Sequence, residues 1–133
     1  MRYAICYVST AKEGISDQEI EEILNNSEEN NNKKDITGLL LYSEGNFFQV
    51  IEGVKEDVKT LYERIKRDKR HSNVIKLFET SIHKPSFDGY RSDLVTETTK
   101  FNPVKMQDYR HHLEVLDPKT KQAVENVLRA FIY

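Results

Sequence analysis

The 133-residue chain has no tryptophan, one cysteine, three prolines and five glycines. With Cys6 alone, no intrachain disulfide framework can form, which fits a reducing compartment. No apolar run approaches the about 20 residues a membrane-crossing helix needs. Charge of one sign is also lacking. A formal net charge of −2 leaves no broad basic footprint for DNA or RNA. No leader-like pattern opens the chain, so a cytoplasmic location is expected. No repeat is present, the only biased stretch is the short run Asn30-Asn31-Asn32, and no linker separates two domains. What is present is 38% apolar and 32% charged residues, enough for one core under a solvated surface.

Hydrophobic patterning gives the order of elements. Tyr3 to Val8 is continuously apolar, as in a central strand covered on both faces. Ser16-Asp17-Gln18-Glu19 is a capping box, and Ile20, Ile23 and Leu24 follow at helical spacing. That helix is expected to fade between Asn30 and Asp35. Ile36 to Tyr42 and Asn46 to Ile51 read as a hairpin around Ser43-Glu44-Gly45. Val54, Val58, Leu61, Tyr62 and Ile65 mark a second helix ending near Arg67-Asp68. Val74 to Ile82 is a fourth strand, Pro85 to Gly89 a turn, and Tyr90 to Thr96 a fifth, weaker strand. Helical patterning resumes after Asn102-Pro103, and Asp117-Pro118 is an N-cap with Pro at the first helical position. The order β-α-β-β-α-β predicts an α+β, ferredoxin-like sheet. Right-handed crossovers place both helices on one face, and the C-terminal helices then cover the other.

Gln49 lies inside the buried-strand run Phe47 to Gly53. A buried carboxamide left without partners costs about 1–3 kcal/mol. Tyr7, Asn30 and Asn31 are candidates to meet it. A phenol and amides converging on one pocket can bind a neutral heteroaromatic molecule without burying a charge. Taken singly, these residues are also explained as a core Tyr7, a turn-capping Asn31 and a Gln49 bonded to backbone. His71 lacks a partner at metal-ligand spacing, so it is read as a polar neighbour or a helix-end cation, with no metal site expected. His83, and the adjacent His111 and His112, are read as solvated. Cys6 alternates with Tyr7 and faces away from the pocket as a core residue. Lys66-Arg67 and Lys69-Arg70 read as a solvated helix end.

Tyr7-Val8-Ser9, Asn30-Asn31, Ile36 to Leu40, Phe47 to Gly53 and Asp68-Lys69-Arg70-His71 occur in this order. In this combination the chain resembles the BLUF family of flavin-binding blue-light sensors over about residues 1–98. The resemblance implies a flavin-binding core at 1–98, with 99–133 as a helical extension of the same unit. It implies that Tyr7 is the photoactive tyrosine and that Gln49 lies between it and the flavin. Asn31 is implied to hold the ring's carbonyl edge, with Asn30 as a second asparagine. Ile23 and Ile65 would sandwich the ring. Arg64, Asp68, Arg70 and His71 would form the polar group around its far side and ribityl chain, and Phe47 completes the cofactor contacts. FAD is the implied cofactor, with FMN or riboflavin as alternatives. The family usually carries Trp or Met on the fifth strand. Here Tyr90 and Ser92 fall at those places.

The reading that follows is a photoreceptor, not an enzyme, signalling through a downstream protein or a homo-oligomer, with no nucleic acid or membrane involved. Two other classes fit the same fold. One is a small flavin-dependent or acyl-phosphate-type enzyme. The other is a light-inactive interaction module.

Overall fold

The computed structural model describes residues 2–82, 90–94 and 116–132, with side chains for 2–82 and 116–130. The Pro85–Gly89 turn, His83, His111, His112, the helix after Asn102-Pro103 and the boundary near residue 98 lie outside the described residues.

Strand β1 (Arg2–Ala11) leads to helix α1 (Asp17–Lys33), then to β2 (Thr37–Ser43) and β3 (Asn46–Val54). Helix α2 (Lys55–Lys66), β4 (His71–Ile82), β5 (Tyr90–Leu94) and α3 (Pro118–Ile132) follow. The five strands form one sheet in the order β4-β1-β3-β2-β5. The first four are antiparallel, and β5 adds in parallel to β2. This is the ferredoxin-like arrangement, with a fifth strand on its edge.

Local chemistry sets the ends of α1. Ser16 accepts from the Glu19 amide and Glu19 reaches back to the Ser16 amide, so the capping box forms. At the other end the Asn31 carbonyl accepts from both the Lys34 and Ile36 amides, and Asp35 turns left-handed at φ 56°. The helix therefore stops at Lys33, within the stretch expected to end it. β4 begins at His71, three residues before the apolar run at Val74. Its first residues are held by pairing with β1 (Ala11 opposite His71, Thr10 opposite Ser72), which hydropathy does not register.

Alternation along the strands makes two cores. Ile5, Tyr7, Leu40, Phe47 and Ile51 face α1 and α2, meeting Ile20, Ile23, Leu24, Val58 and Tyr62. Cys6, Leu39, Leu41, Phe48 and Val50 face the other way, against Val124 and Leu128 of α3. Both layers that the strand and helix order predicts are thus present. Two irregularities mark β4. Its register with β1 shifts between Cys6 and Tyr7, and again between Val8 and Thr10, where Asn73 takes φ 54°. Such bulges re-aim the residues beside them. Among the described residues, no helix is long and apolar enough to cross a membrane.

Candidate functional site

Three facts of local structure build the site. Tyr7 and Gln49 are direct partners in the β1–β3 pairing, and Leu40 is opposite Gln49 from β2. All three side chains therefore point to the helix face at one level of the sheet. On α1, Ile23, Asn26, Ser27, Asn30 and Asn31, with Lys34 at its C-cap, recur at helical spacing, and on α2 Leu61, Arg64 and Ile65 do the same. The two rows flank a cleft of about 220 Å³, floored by Tyr7, Leu40, Phe47 and Gln49.

All eleven residues named as cofactor contacts line this cleft: Tyr7, Ile23, Asn30, Asn31, Phe47, Gln49, Arg64, Ile65, Asp68, Arg70 and His71. Sequence reasoning missed Asn26, Ser27, Lys34, Leu40 and Leu61. A signal for the α1 residues existed. The apolar stripe Ile20-Ile23-Leu24 continues down the same face as Ser27, Asn30, Asn31 and Lys34, so the face changes from core to ligand-like without changing direction.

Polarity in the floor is concentrated in one bond. The Tyr7 hydroxyl donates to Gln49 Oε1, and both residues are only 3% exposed. That choice of amide oxygen leaves Nε2 as the donor end of Gln49. Asn31 is buried at 5% exposure and its side chain lines the cleft. An amide at a cleft wall offers a donor and an acceptor to whatever occupies the cleft. Apolar Ile23, Ile65 and Leu40 together with this amide chemistry fit a flat heteroaromatic ring with a polar edge, which is the chemistry of a flavin.

The rim is charged differently. Arg70 holds Asp68 through Nε to Oδ1 at 3.0 Å and Nη2 to Oδ2 at 2.6 Å. This bond keeps the Asp68 carboxyl below its ordinary range and raises the Arg70 guanidinium, while partial burial opposes both shifts. Lys34 and Arg64 line the same cleft, and neither forms an ion pair among the described residues. The rim is therefore net positive. His71 stands at the cleft wall with its ring edge-on to Tyr7, 6.2 Å between centroids. Both of its nitrogens bond to protein: Nδ1 with Ser9 Oγ at 2.7 Å and Nε2 with the Ile65 carbonyl at 2.6 Å. Cys6 lies on the opposite face of the sheet, where burial pushes its thiol well up and keeps it a poor nucleophile. Among the described residues, no group of three His, Cys, Asp or Glu could hold a metal.

The fold and the site define a ferredoxin-like domain with a cleft between two helices over a Tyr–Gln floor. The family described as sensors of blue light using FAD matches residues 3–93, well over half the chain, and this chain belongs to that family. It is 35% identical over 77 residues to the blue light- and temperature-regulated antirepressor BluF of Escherichia coli K12. It is 37% identical over 94 residues to the photoactivated adenylate cyclase subunit alpha of Euglena gracilis. These matches cover 58% and 71% of this chain but only 19% and 9% of those relatives, which are much longer. Among solved structures, BlsA in its photo-activated state aligns with TM-score 0.71 and 28% identity, covering 97% of this chain and 95% of that one.

Proposed function

We propose that this chain is a non-enzymatic blue-light receptor that binds flavin non-covalently and changes the Tyr7–Gln49 hydrogen bond in response to light. The observation that carries the reading is the buried Tyr7 hydroxyl bonded to Gln49 at the floor of a cleft that also holds the buried Asn31 amide. Bound flavin supplies the light-absorbing ring and an acceptor for one electron. Tyr7 is placed to give up an electron and its hydroxyl proton, and to recover both. Gln49 bonds to Tyr7 and lines the cleft beside it, so rotation or tautomerisation of its amide exchanges the donor and acceptor it presents to Tyr7 and to the ligand. No net chemistry remains after recovery, only a different hydrogen-bond pattern.

The light-minus-dark absorbance spectrum tests this reading. The purified chain should be yellow, shift to the red under blue light and recover in darkness. A colourless protein, or a yellow one without the shift, would overturn it. Asn31→Ala removes the amide implied to hold the ring edge. It should weaken flavin binding by about 1–3 kcal/mol, the cost of one unpaired buried partner. Titration of the flavin-free chain measures this, and unchanged affinity would remove Asn31 from the pose.

The net positive rim favours a phosphorylated flavin, FAD or FMN, over riboflavin. Lys34 and Arg64 offer exposed cations, so the preference should be about two- to ten-fold at low salt. It should vanish as the screening length falls from about 10 Å at 0.1 M to about 3 Å at 1 M salt. Equal affinity for FMN and riboflavin at low salt would deny the rim that role.

Output is assigned to a partner protein or a second copy of the chain, reached through β5 and the C-terminal helices. The flavin core at 1–98 and the helical extension at 99–133 then act as one unit. Supporting this, β3 carries Gln49 to the cleft while its neighbours Phe48 and Val50 share a core cluster with Val124 and Leu128 of α3. A strand shift at Gln49 is thereby felt on both faces of the sheet. A cytoplasmic site of action fits a chain built around a reduced, buried cysteine.

A further inference from the structure

The geometry points to Ser9 and His71 as a positioning pair that sets Tyr7 in place and thereby controls how fast the switched state relaxes. This inference rests on the Tyr7–Gln49 reading and adds to it a part played by two residues that do not touch the Tyr7 hydroxyl.

The imidazole has no unused nitrogen. The Ile65 carbonyl can only accept, so Nε2 must carry the proton in the 2.6 Å bond. In the neutral ring Nδ1 is then the acceptor, and Ser9 Oγ–H donates to it at 2.7 Å. Ser9 is 3% exposed and lies two residues beyond Tyr7 on the same face of β1. His71 therefore ties the strand that carries Tyr7 to the last turn of α2, which carries Ile65. Its ring edge also packs against the Tyr7 ring and, 6.3 Å between centroids, against Phe47. The β4 backbone supports this arrangement. Its two register shifts fall at Tyr7 and around Ser9, the second with Asn73 left-handed, so the strand is reshaped at the two β1 residues the pair serves. A ring held at both nitrogens and edge-on to Tyr7 restricts the phenol's tilt, and so the line of its bond to Gln49.

The test compares Ser9→Ala, His71→Leu and His71→Gln in the full chain. Ser9 lies outside the cleft lining. Ser9→Ala should keep flavin and the red shift while changing the dark-recovery rate about fivefold, the scale of one neutral hydrogen bond. His71→Leu should change recovery at least as much, and the double variant no more than His71→Leu alone, because both act through one link. Glutamine supplies an N–H for Ile65 and an oxygen for Ser9, so His71→Gln should restore part of the wild-type rate. Nitrogen NMR of the ring should report Nε2 carrying a proton in darkness, in both flavin-free and loaded protein. Unchanged recovery in Ser9→Ala overturns the proposal, as does a ring protonated at Nδ1 alone. So does a His71→Leu variant that loses flavin while Ser9→Ala behaves as wild type, since His71 is then a direct ligand. If His71→Leu does not fold, Ser9→Ala and the tautomer still decide. A chain that binds no flavin would sink the receptor reading, whereas the tautomer remains measurable without flavin.

Discussion

Tyr7→Phe and Gln49→Leu are each expected to retain flavin and to abolish the reversible red shift. The phenylalanine ring keeps the packing of Tyr7 in the core, including its tilted contact with Tyr62 at 5.9 Å between centroids. What it loses is the hydroxyl that donates to Gln49 Oε1. Among the described residues lining the cleft, that hydroxyl is the one phenol. Leucine at 49 keeps much of the bulk of the glutamine but neither donor nor acceptor. Removing the amide takes away the bond that the Tyr7 hydroxyl makes to Oε1, a loss of about 0.5–1.5 kcal/mol. The Gln49 variant should therefore be the less stable of the two. Light-minus-dark spectra after equal illumination, with thermal melts alongside, separate loss of switching from loss of fold. A normal spectral cycle in either folded variant would show that the donor or the switch lies elsewhere.

The largest effect on stability is expected at a residue that touches neither ligand nor helix. Gly38 adopts φ 149°, and a Cβ there would collide with the Val50 carbonyl, lying 2.9 Å from its carbon and 3.3 Å from Ile51 Cα. These are backbone atoms of the paired strand, not flexible side-chain ends. Relief would require β2 and β3 to separate, and β3 carries Gln49. Gly38→Ala should therefore lose about 4 kcal/mol or more, at the exceptional end for a single substitution. For a domain of this size that corresponds to a fall in Tm of roughly 10 °C or more. By contrast, Gly14→Ala and Gly45→Ala meet no atom within 4 Å and carry only the penalty of their positive φ. A Gly38→Ala protein that melts within a few degrees of wild type would show that the strands part more easily than this geometry allows.

Much of this architecture is legible in the sequence because strand and helix periods differ. Alternation put Tyr7 and Gln49 on the helix side and Cys6 on the other, and the Ser16–Glu19 box announced where α1 begins. The convergence of Tyr7, Asn31 and Gln49 was readable because each is a hydrogen-bonding group in an apolar setting that needs a partner. Register was not readable. Nothing local makes Tyr7 face Gln49 instead of a residue two places away, and that pairing is set by the whole β1–β3 ladder. The partners of His71 were hidden for the same reason. One is a serine 62 positions away and the other a backbone carbonyl, which carries no sequence signature. Leu40 was missed although alternation from Gly38 points it into the cleft, because an apolar residue in a buried strand looks like ordinary core.

The two irregularities of β4 carry a consequence for handling the protein. β4 is an outer strand of twelve residues, and Ile75 on it is 59% exposed. A straight strand of that length would be a template for the edge of another molecule, the route by which sheets grow into fibrils. Twice along its length the spacing of amides and carbonyls is broken, and Lys76 stands between the breaks. An incoming strand can match only a few residues before losing step. The shaping that serves the cleft also denies aggregation its longest foothold, and concentrated solutions should resist growth of cross-β material along this edge.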